Sequence, residues 1–186
     1  MPDGWAVARS RGYRPGYESD RGSVVERLRA WSYSDAERLL YVDSDCVFCR
    51  PVDFQTEPTI NLEKPVVMWR TWEEAVSGAV WHASARETLG FDPPLETMCR
   101  YPFCFPWQVL RDFWAFVGGE ARLLSLPTFT DWNALGPYAL QFHPDKVTKL
   151  HAGIGFGQPA CVRQFWSHHR ANHPQVLAEL ERLGLA

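Results

Sequence analysis

An apolar run at residues 39–42 ends abruptly in the acidic triplet Asp43-Ser44-Asp45, and apolar residues resume directly afterwards. A short apolar run bounded by charged residues is typical of a buried strand. Ligands of α/β sheets bind beyond the carboxyl ends of strands, where this triplet lies. Two neighbouring carboxylates there predict a site for Mg²⁺ or Mn²⁺, with a phosphate completing the coordination. A turn or a helix cap is the alternative interpretation of the same triplet.

The length of the chain and its charge limit the possible functions. The 186 residues fit one domain with its own core, and residues 1–22, rich in Arg, Gly, Pro and Tyr, predict an irregular arm. The net charge of −3 gives no general attraction to nucleic acid. A basic face built from the arm could reverse that locally. Its arginines are Arg9, Arg11, Arg14 and Arg21.

The five cysteines are odd in number and irregularly spaced, which favours a reducing, cytoplasmic location. No signal peptide is recognised, and no apolar run approaches the roughly 20 residues that a membrane span needs. Cys46 and Cys49 form a Cys-x-x-Cys motif that suggests zinc or redox chemistry. On an extended segment, however, residues three apart face opposite sides, and no second such motif exists.

The rest of the chain alternates helical and strand patterns, which indicates an α/β fold. Residues 72–85 show no clear period, and residues 86–90 predict a helical turn closed by glycine. A helix is expected to open at a capping box at residues 23–26 and to run to about residue 31. Further helices are predicted at residues 107–117, 130–140 and 174–183, and strands at residues 65–69, 123–126 and 147–151.

Three side chains away from the triplet are candidates for the same site. A divalent ion held by two carboxylates often takes a third protein ligand from a distant part of the chain, and His168 and His151 compete for this role. Asp131 stands at a predicted helix start. It is either a first-turn acid that the helix dipole favours or a carboxylate that deprotonates or binds a hydroxyl.

Residues 39–54 resemble the Asp-x-Asp segment of GT-A fold, nucleotide-sugar-dependent glycosyltransferases. Residues 96–103, 129–138 and 164–169 are similar, in order, to segments of a poorly characterised bacterial and phage branch of these enzymes. The resemblance implies a GT-A-like mixed sheet flanked by helices. It also implies that the chain transfers a sugar from a UDP- or GDP-sugar to a hydroxyl acceptor, which is a glycan, a small molecule or a modified phage DNA base.

The resemblance also implies a role for each site residue. Asp43, Ser44 and Asp45 would bind the nucleotide-sugar, and Asp43, Asp45 and His168 would hold Mn²⁺ or Mg²⁺ against the donor diphosphate. Asp131 would face the acceptor or donor sugar and act as base if the reaction inverts. Trp107, Trp132 and Trp166 are candidate platforms for sugar stacking or core residues.

One departure from the GT-A pattern concerns the N-terminal part. Only 42 residues precede Asp43, whereas a strand–helix–strand unit that grips a nucleotide takes about 30 ordered residues. We therefore expect an abbreviated or missing nucleotide-binding half, or a truncated chain. Two alternatives stay open: a non-catalytic remnant that binds sugar or a partner, and a metal-dependent phosphohydrolase using Asp43 and Asp45. The second would need further acids and a lysine, and we find no such set.

Overall fold

The structure is a computed structural model that describes residues 24–33, 36–42, 46–57, 60–61, 63–75, 78–98, 103–152, 161–164 and 173–184. The predicted arm at residues 1–22 lies outside these ranges. So do Asp43, Ser44, Asp45 and His168. The chain is described up to residue 42 and again from residue 46, and up to residue 164 and again from residue 173.

The described chain contains seven helices, one of them a 3₁₀ helix, and six strands. The helices are α1 (residues 24–28), a 3₁₀ helix Ala30–Tyr33, α2 Gly78–Leu89, α3 Trp107–Phe116, α4 Gly119–Ser125, α5 Asp131–Phe142 and α6 His173–Arg182. The strands are β1 Arg38–Tyr41, β2 Cys46–Phe48, β3 Val66–Trp69, β4 Phe103–Pro106, β5 Thr148–His151 and β6 Val162–Gln164.

The described strands form three two-stranded sheets. Strands β1 and β4 are antiparallel, β2 and β6 are antiparallel, and β3 and β5 are parallel. This mixture of helices with parallel and antiparallel strands confirms the predicted α/β class. The described residues do not join these pairs into the single mixed sheet that we expected. Ahead of the triplet they contain α1, the 3₁₀ helix and β1.

The main core lies between β1, α3 and α5. Val109, Leu110 and Phe113 have helical spacing and form the buried face of α3. They pack in one cluster with Tyr41 of β1 and Leu135 of α5. Because burial of each large apolar side chain contributes about 1.5–3 kcal/mol, this cluster fixes how α5 meets β1. A smaller cluster beside the β2–β6 pair contains Ile60, Cys161 and Val162.

The predicted strand at residues 123–126 is wrong, because α4 covers most of this segment. Leu123 and Leu126 are buried whereas Leu124 and Ser125 are exposed. A spacing of three between inward residues is helical, and a half-buried strand would alternate instead. Gly118, at φ +83°, occupies the left-handed conformation between α3 and α4, where we predicted a stop.

Helix α2 was predicted only at its last turn. Its inner face carries the polar residues Ser84 and Thr88, both buried, which hide the apolar period. The hydroxyl of Thr88 donates to the Ser84 carbonyl at 2.9 Å, and that of Ser84 donates to the Thr128 carbonyl at 3.1 Å. Gly90 follows the helix at φ +70°, as the predicted glycine stop requires.

Candidate active site around the acidic triplet

The acidic triplet connects two described strands, since β1 ends at Tyr41 and β2 begins at Cys46. The prediction of a strand directly before the triplet is therefore confirmed, one residue earlier than expected. Tyr41 is buried, and its hydroxyl donates a hydrogen bond of 2.8 Å to the Arg27 carbonyl oxygen. This contact fixes the end of β1 against α1, two residues before Asp43.

Asp131 lies beside this strand end, at the first residue of α5. Its carboxylate is only 2% exposed, and Oδ2 lies 3.2 Å from Nη2 of Arg27. Its Oδ1 accepts a hydrogen bond from the Trp132 N–H at 3.1 Å. Arg27 thus contacts both Tyr41, through its carbonyl, and Asp131, through its guanidinium. The fold joins the predicted carboxylate of α5 to the strand that leads into the triplet.

The ionisation of this cluster follows from its burial. Burial raises the pKa of Asp131, and the neighbouring Arg27 guanidinium lowers it in part. Burial also raises the pKa of Tyr41, with a smaller contribution from the negative charge of Asp131. A carboxylate whose pKa is shifted towards neutrality has the property that general bases need. In this conformation, however, an acceptor hydroxyl does not reach a carboxylate that is almost fully covered.

Both interpretations of Asp131 therefore keep a physical basis. Thr130 precedes α5 without a capping bond from its side chain, so Asp131 supplies the acidic group of the first turn. Its contact with Arg27 places Asp131 beside β1, and this position is also compatible with a role in the predicted site. The role as base stays a prediction.

The β2–β6 sheet relates the triplet to the predicted histidine ligand. Cys46 pairs with Gln164 in this antiparallel sheet. Asp45 directly precedes Cys46, and His168 follows Gln164 by four residues. The chain enters β2 and leaves β6 at the same end of the sheet, so the two predicted ligand segments extend from paired residues.

His151, the rival ligand, ends β5 in a different sheet. It lies opposite Trp69 in the parallel β3–β5 pair, and the two ring centroids are 4.5 Å apart. Its Nε2 lies 3.7 Å from Oε2 of Glu74, whose pKa is lowered chiefly by the hydrogen bond from the Thr71 N–H. Both side chains are exposed, so this histidine belongs to a surface cluster with Trp69 and Glu74.

Polar contacts hold the first turn of α5 against the segment at residues 96–98. Asn133 is fully buried, and its Oδ1 accepts hydrogen bonds of 3.1 Å from the N–H groups of Thr97 and Met98. The Thr97 hydroxyl donates to the Trp132 carbonyl at 2.6 Å. These bonds set the position of the helix that carries Asp131.

Two of the three tryptophans predicted to be sugar platforms or core residues lie in the described chain. Trp107 is half-buried beneath the Arg111 guanidinium, which stands 4.8 Å from its ring centroid. Trp132 is half-buried and lines a cavity of about 20 Å³ with Thr97 and Gly136, among other residues. A cavity of this size holds about one water molecule, so it is too small for a sugar ring. Trp166 lies outside the described residues.

The described chain holds neither a metal-ligand cluster nor a helix that could span a membrane. Across the described ranges, no three His, Cys, Asp or Glu side chains converge so that they could hold a metal ion. The longest helices of the described chain, α2 and α5, have 12 residues each. No described helix is long and apolar enough to cross a membrane.

Sequence reasoning missed Arg27 and Asn133 as parts of this region. Arg27 lies in α1 between the buried residues Val25 and Leu28, and an arginine beside an apolar helix face is as compatible with solvent as with a buried partner. Asn133 stands directly before an apolar stretch of α5. An amide in such a position indicates a required hydrogen bond. Neither pattern identifies the partner.

Comparison of the chain with family models, curated proteins and solved structures found no match.

Proposed function

We propose that this protein is a metal-dependent glycosyltransferase of the GT-A type, which moves a sugar from a UDP- or GDP-sugar to a hydroxyl acceptor. The observation that carries the proposal is the pairing of Cys46 with Gln164. In the sequence, Asp45 directly precedes Cys46 and His168 follows Gln164 by four residues. Four extended residues span at most about 14 Å, which bounds the distance of the His168 Cα atom from Gln164.

The donor set fits the proposed ion. Two carboxylates and one imidazole form an oxygen-rich set that suits Mn²⁺ or Mg²⁺ with a phosphate as a further ligand. Asp43, Asp45 and His168 would hold the ion, and Ser44 between the two acids would lie against the donor. When bound, such an ion offsets the charge of the leaving nucleotide diphosphate.

The surroundings of β1 support the same assignment. Asp131 and Arg27 stand beside Tyr41, two residues before Asp43. Arg27 holds the Asp131 carboxylate next to β1, the strand that leads into the acidic triplet. This position suits the proposed role of Asp131 towards the acceptor or donor sugar. The proposed role requires that the Asp131 carboxylate contact a sugar, and this carboxylate is covered in the present conformation. We therefore expect that a rearrangement near Arg27 exposes it when substrates bind.

His168 is proposed as the third ligand in preference to His151. The β2–β6 pairing ties the His168 segment to the residue that follows the triplet. His151 belongs to the β3–β5 sheet, and its ring is held by Trp69 and Glu74.

The test is turnover of a panel of UDP- and GDP-sugars by the full chain with Mn²⁺ or Mg²⁺, with and without hydroxyl acceptors. We expect release of UDP or GDP that needs the metal and is lost in Asp45→Ala. The control variant Asp53→Ala removes an acid that bonds within its own turn, at the Gln55 N–H and the Thr56 hydroxyl, and should retain turnover. Thermal shift supplies a second readout, because Mn²⁺ and UDP together should stabilise the wild type and not Asp45→Ala.

Other outcomes would refute the proposal in distinct ways. Stabilisation by free sugars without metal, and no turnover, would indicate a non-catalytic binding remnant. Hydrolysis of simple phosphoesters with no response to nucleotide-sugars would indicate a phosphohydrolase.

A further inference from the structure

Two cysteines face each other across the β2–β6 pair. The register Phe48 to Val162, continued by one residue, places Cys49 opposite Cys161. The Cys49 N–H donates to the Cys161 carbonyl oxygen at 2.8 Å, which continues the ladder to this position. No disulfide joins these two cysteines in the structure. Side chains of directly opposed residues project from the same face of a sheet.

The backbone geometry of such a pair suits a disulfide. Opposed residues of a hydrogen-bonded antiparallel pair have Cα atoms about 5.5 Å apart, within the roughly 4.4–6.8 Å that disulfides span. The other cysteines of the described chain are less suitable. Cys46 lies three positions from Cys49 on the same strand and so faces the opposite side. Cys104 belongs to β4 and lies opposite Leu40.

The two thiols differ in their surroundings. Cys49 is partly exposed, whereas Cys161 is fully buried. The Cys161 thiol is hydrogen-bonded to the carboxylate of Glu57, and burial raises its pKa. Glu57 is itself buried and accepts a hydrogen bond of 2.8 Å from Nη2 of Arg50. An oxidant in solution therefore reaches Cys49 before Cys161. The Glu57 carboxylate is the group positioned to accept the proton of the Cys161 thiol.

From this arrangement we propose that Cys49 and Cys161 are an oxidisable pair that hydrogen peroxide converts into a disulfide joining β2 to β6. In the first step a peroxide oxygen bonds to the Cys49 sulfur and the O–O bond breaks. The leaving hydroxide takes up the thiol proton and departs as water, and Cys49 becomes a sulfenic acid. In the second step the Cys161 sulfur attacks that sulfur as its proton passes to Glu57. The S–OH bond breaks, and the hydroxide takes up the proton and leaves as a second water.

The disulfide would join the two strands that carry the proposed ligand segments. Its effect on the metal site rests on the proposed function, whereas its formation does not. The test therefore reads the covalent bond and not turnover.

The experiment treats the reduced full chain with one equivalent of hydrogen peroxide, alkylates the remaining thiols and maps the tryptic peptides without reduction. Trypsin does not cleave before Pro51 or Pro65, so Cys46 and Cys49 fall in one tryptic peptide, residues 39–70, and the Cys46→Ser background resolves them. We expect a peptide pair joining residues 39–70 to residues 150–163. Cys49→Ser in that background should abolish it, and Cys104→Ser should leave it unchanged.

Glu57→Gln supplies a test that does not depend on replacing the buried cysteine. Loss of the proton acceptor should slow disulfide closure by about tenfold or more and let dimedone trap the Cys49 sulfenic acid. A cross-link to another cysteine, or a Cys49 sulfenic acid that persists in the otherwise unaltered chain while Cys161 stays an unreacted thiol, would overturn the inference. None of these readouts requires a nucleotide-sugar, so this inference and the proposed function fail independently.

Discussion

Arg70 and Glu96 form an ion pair inside the protein, with Nε 2.6 Å from Oε2 and both side chains more than nine-tenths buried. The two residues also exchange backbone hydrogen bonds of 3.0 Å. Oε1 of Glu96 accepts from the Met98 N–H, which Asn133 of α5 also binds. The pair thus connects the end of β3 to the helix that begins at Asp131.

We predict that Glu96→Gln lowers the free energy of unfolding by about 3–5 kcal/mol, because it leaves the Arg70 guanidinium buried without its counter-ion. Urea denaturation measures the change. The matched control is Glu120→Gln, which removes an exposed partner of Arg29 and should change stability by about 1 kcal/mol or less. Equal effects of the two substitutions would contradict this reasoning.

The elements nearest the predicted site were readable from the sequence because their signals are local. The apolar run before Asp43 is β1, and the spacing of Val109, Leu110 and Phe113 gives α3. The predicted start of a helix at residues 130–133 matches α5, which begins at Asp131. Each of these depends on residues that are close in sequence, so periodicity and capping preferences suffice.

Elements whose signal depends on distant partners were missed. The three residues of β6 gain a strand conformation only by pairing with β2, over a hundred residues earlier. Strand β4 likewise forms by pairing with β1, which lies more than 60 residues earlier. Arg27 and Asp131 meet only after α1 and α5 pack on the same core, and no local pattern links them. Tertiary contacts of this kind do not appear in the periodicity of one segment.

The raised pKa of Asp131 predicts a pH-dependent difference between the wild type and Asp131→Asn. Burial holds this pKa above its ordinary value of 3.8, and Arg27 opposes the shift. Between 3.8 and the native pKa, the folded state binds more protons at this site than the unfolded state does. The contribution of Asp131 to stability is therefore full below that range and is lost as the pH rises through the native pKa.

Asp131→Asn does not titrate, so the unfolding free energy of the wild type minus that of the variant should fall as pH rises. The fall is at most about 1.4 kcal/mol per pH unit, and urea denaturation from about pH 3.5 to 7 measures it. Other carboxylates cancel in the difference. A difference that stays constant over this range would show that the environment of Asp131 does not shift its pKa.

The two histidines should respond differently when metal affinity is measured. We predict that His168→Ala weakens Mn²⁺ binding in the presence of UDP by at least about 10–100-fold, the range already seen for partners that only support a ligand. His151→Ala is the matched control and should leave the affinity within about twofold, because its ring packs on Trp69 in another sheet. Isothermal titration calorimetry measures both. A larger loss of Mn²⁺ affinity in His151→Ala than in His168→Ala would identify His151, at the end of β5, as the third ligand.

The close approach of α5 to the segment before it predicts a strong effect of a single methyl group. Gly136 faces Thr97, and a Cβ atom there would lie 2.6 Å from the Thr97 Cβ and still nearer its hydroxyl. Alanine is favoured over glycine within a helix by about 1 kcal/mol, so propensity alone predicts that Gly136→Ala stabilises the protein. The overlap should reverse the sign and lower the free energy of unfolding by about 1–3 kcal/mol, because backbone and side chains must shift to accept the methyl group.

The matched control for this substitution is Gln141→Ala, at an exposed position of the same helix, which should change stability by about 0.5 kcal/mol or less. The hydrogen bonds of Thr97 to Trp132 and Asn133 resist the shift, so Thr97→Gly should reduce the penalty of Gly136→Ala in a double-mutant cycle. Additive effects of the two substitutions would mean that the helix moves away from residue 97 as a whole. In that case Asp131 would move with it, and the turnover proposed for this protein would fall along with stability.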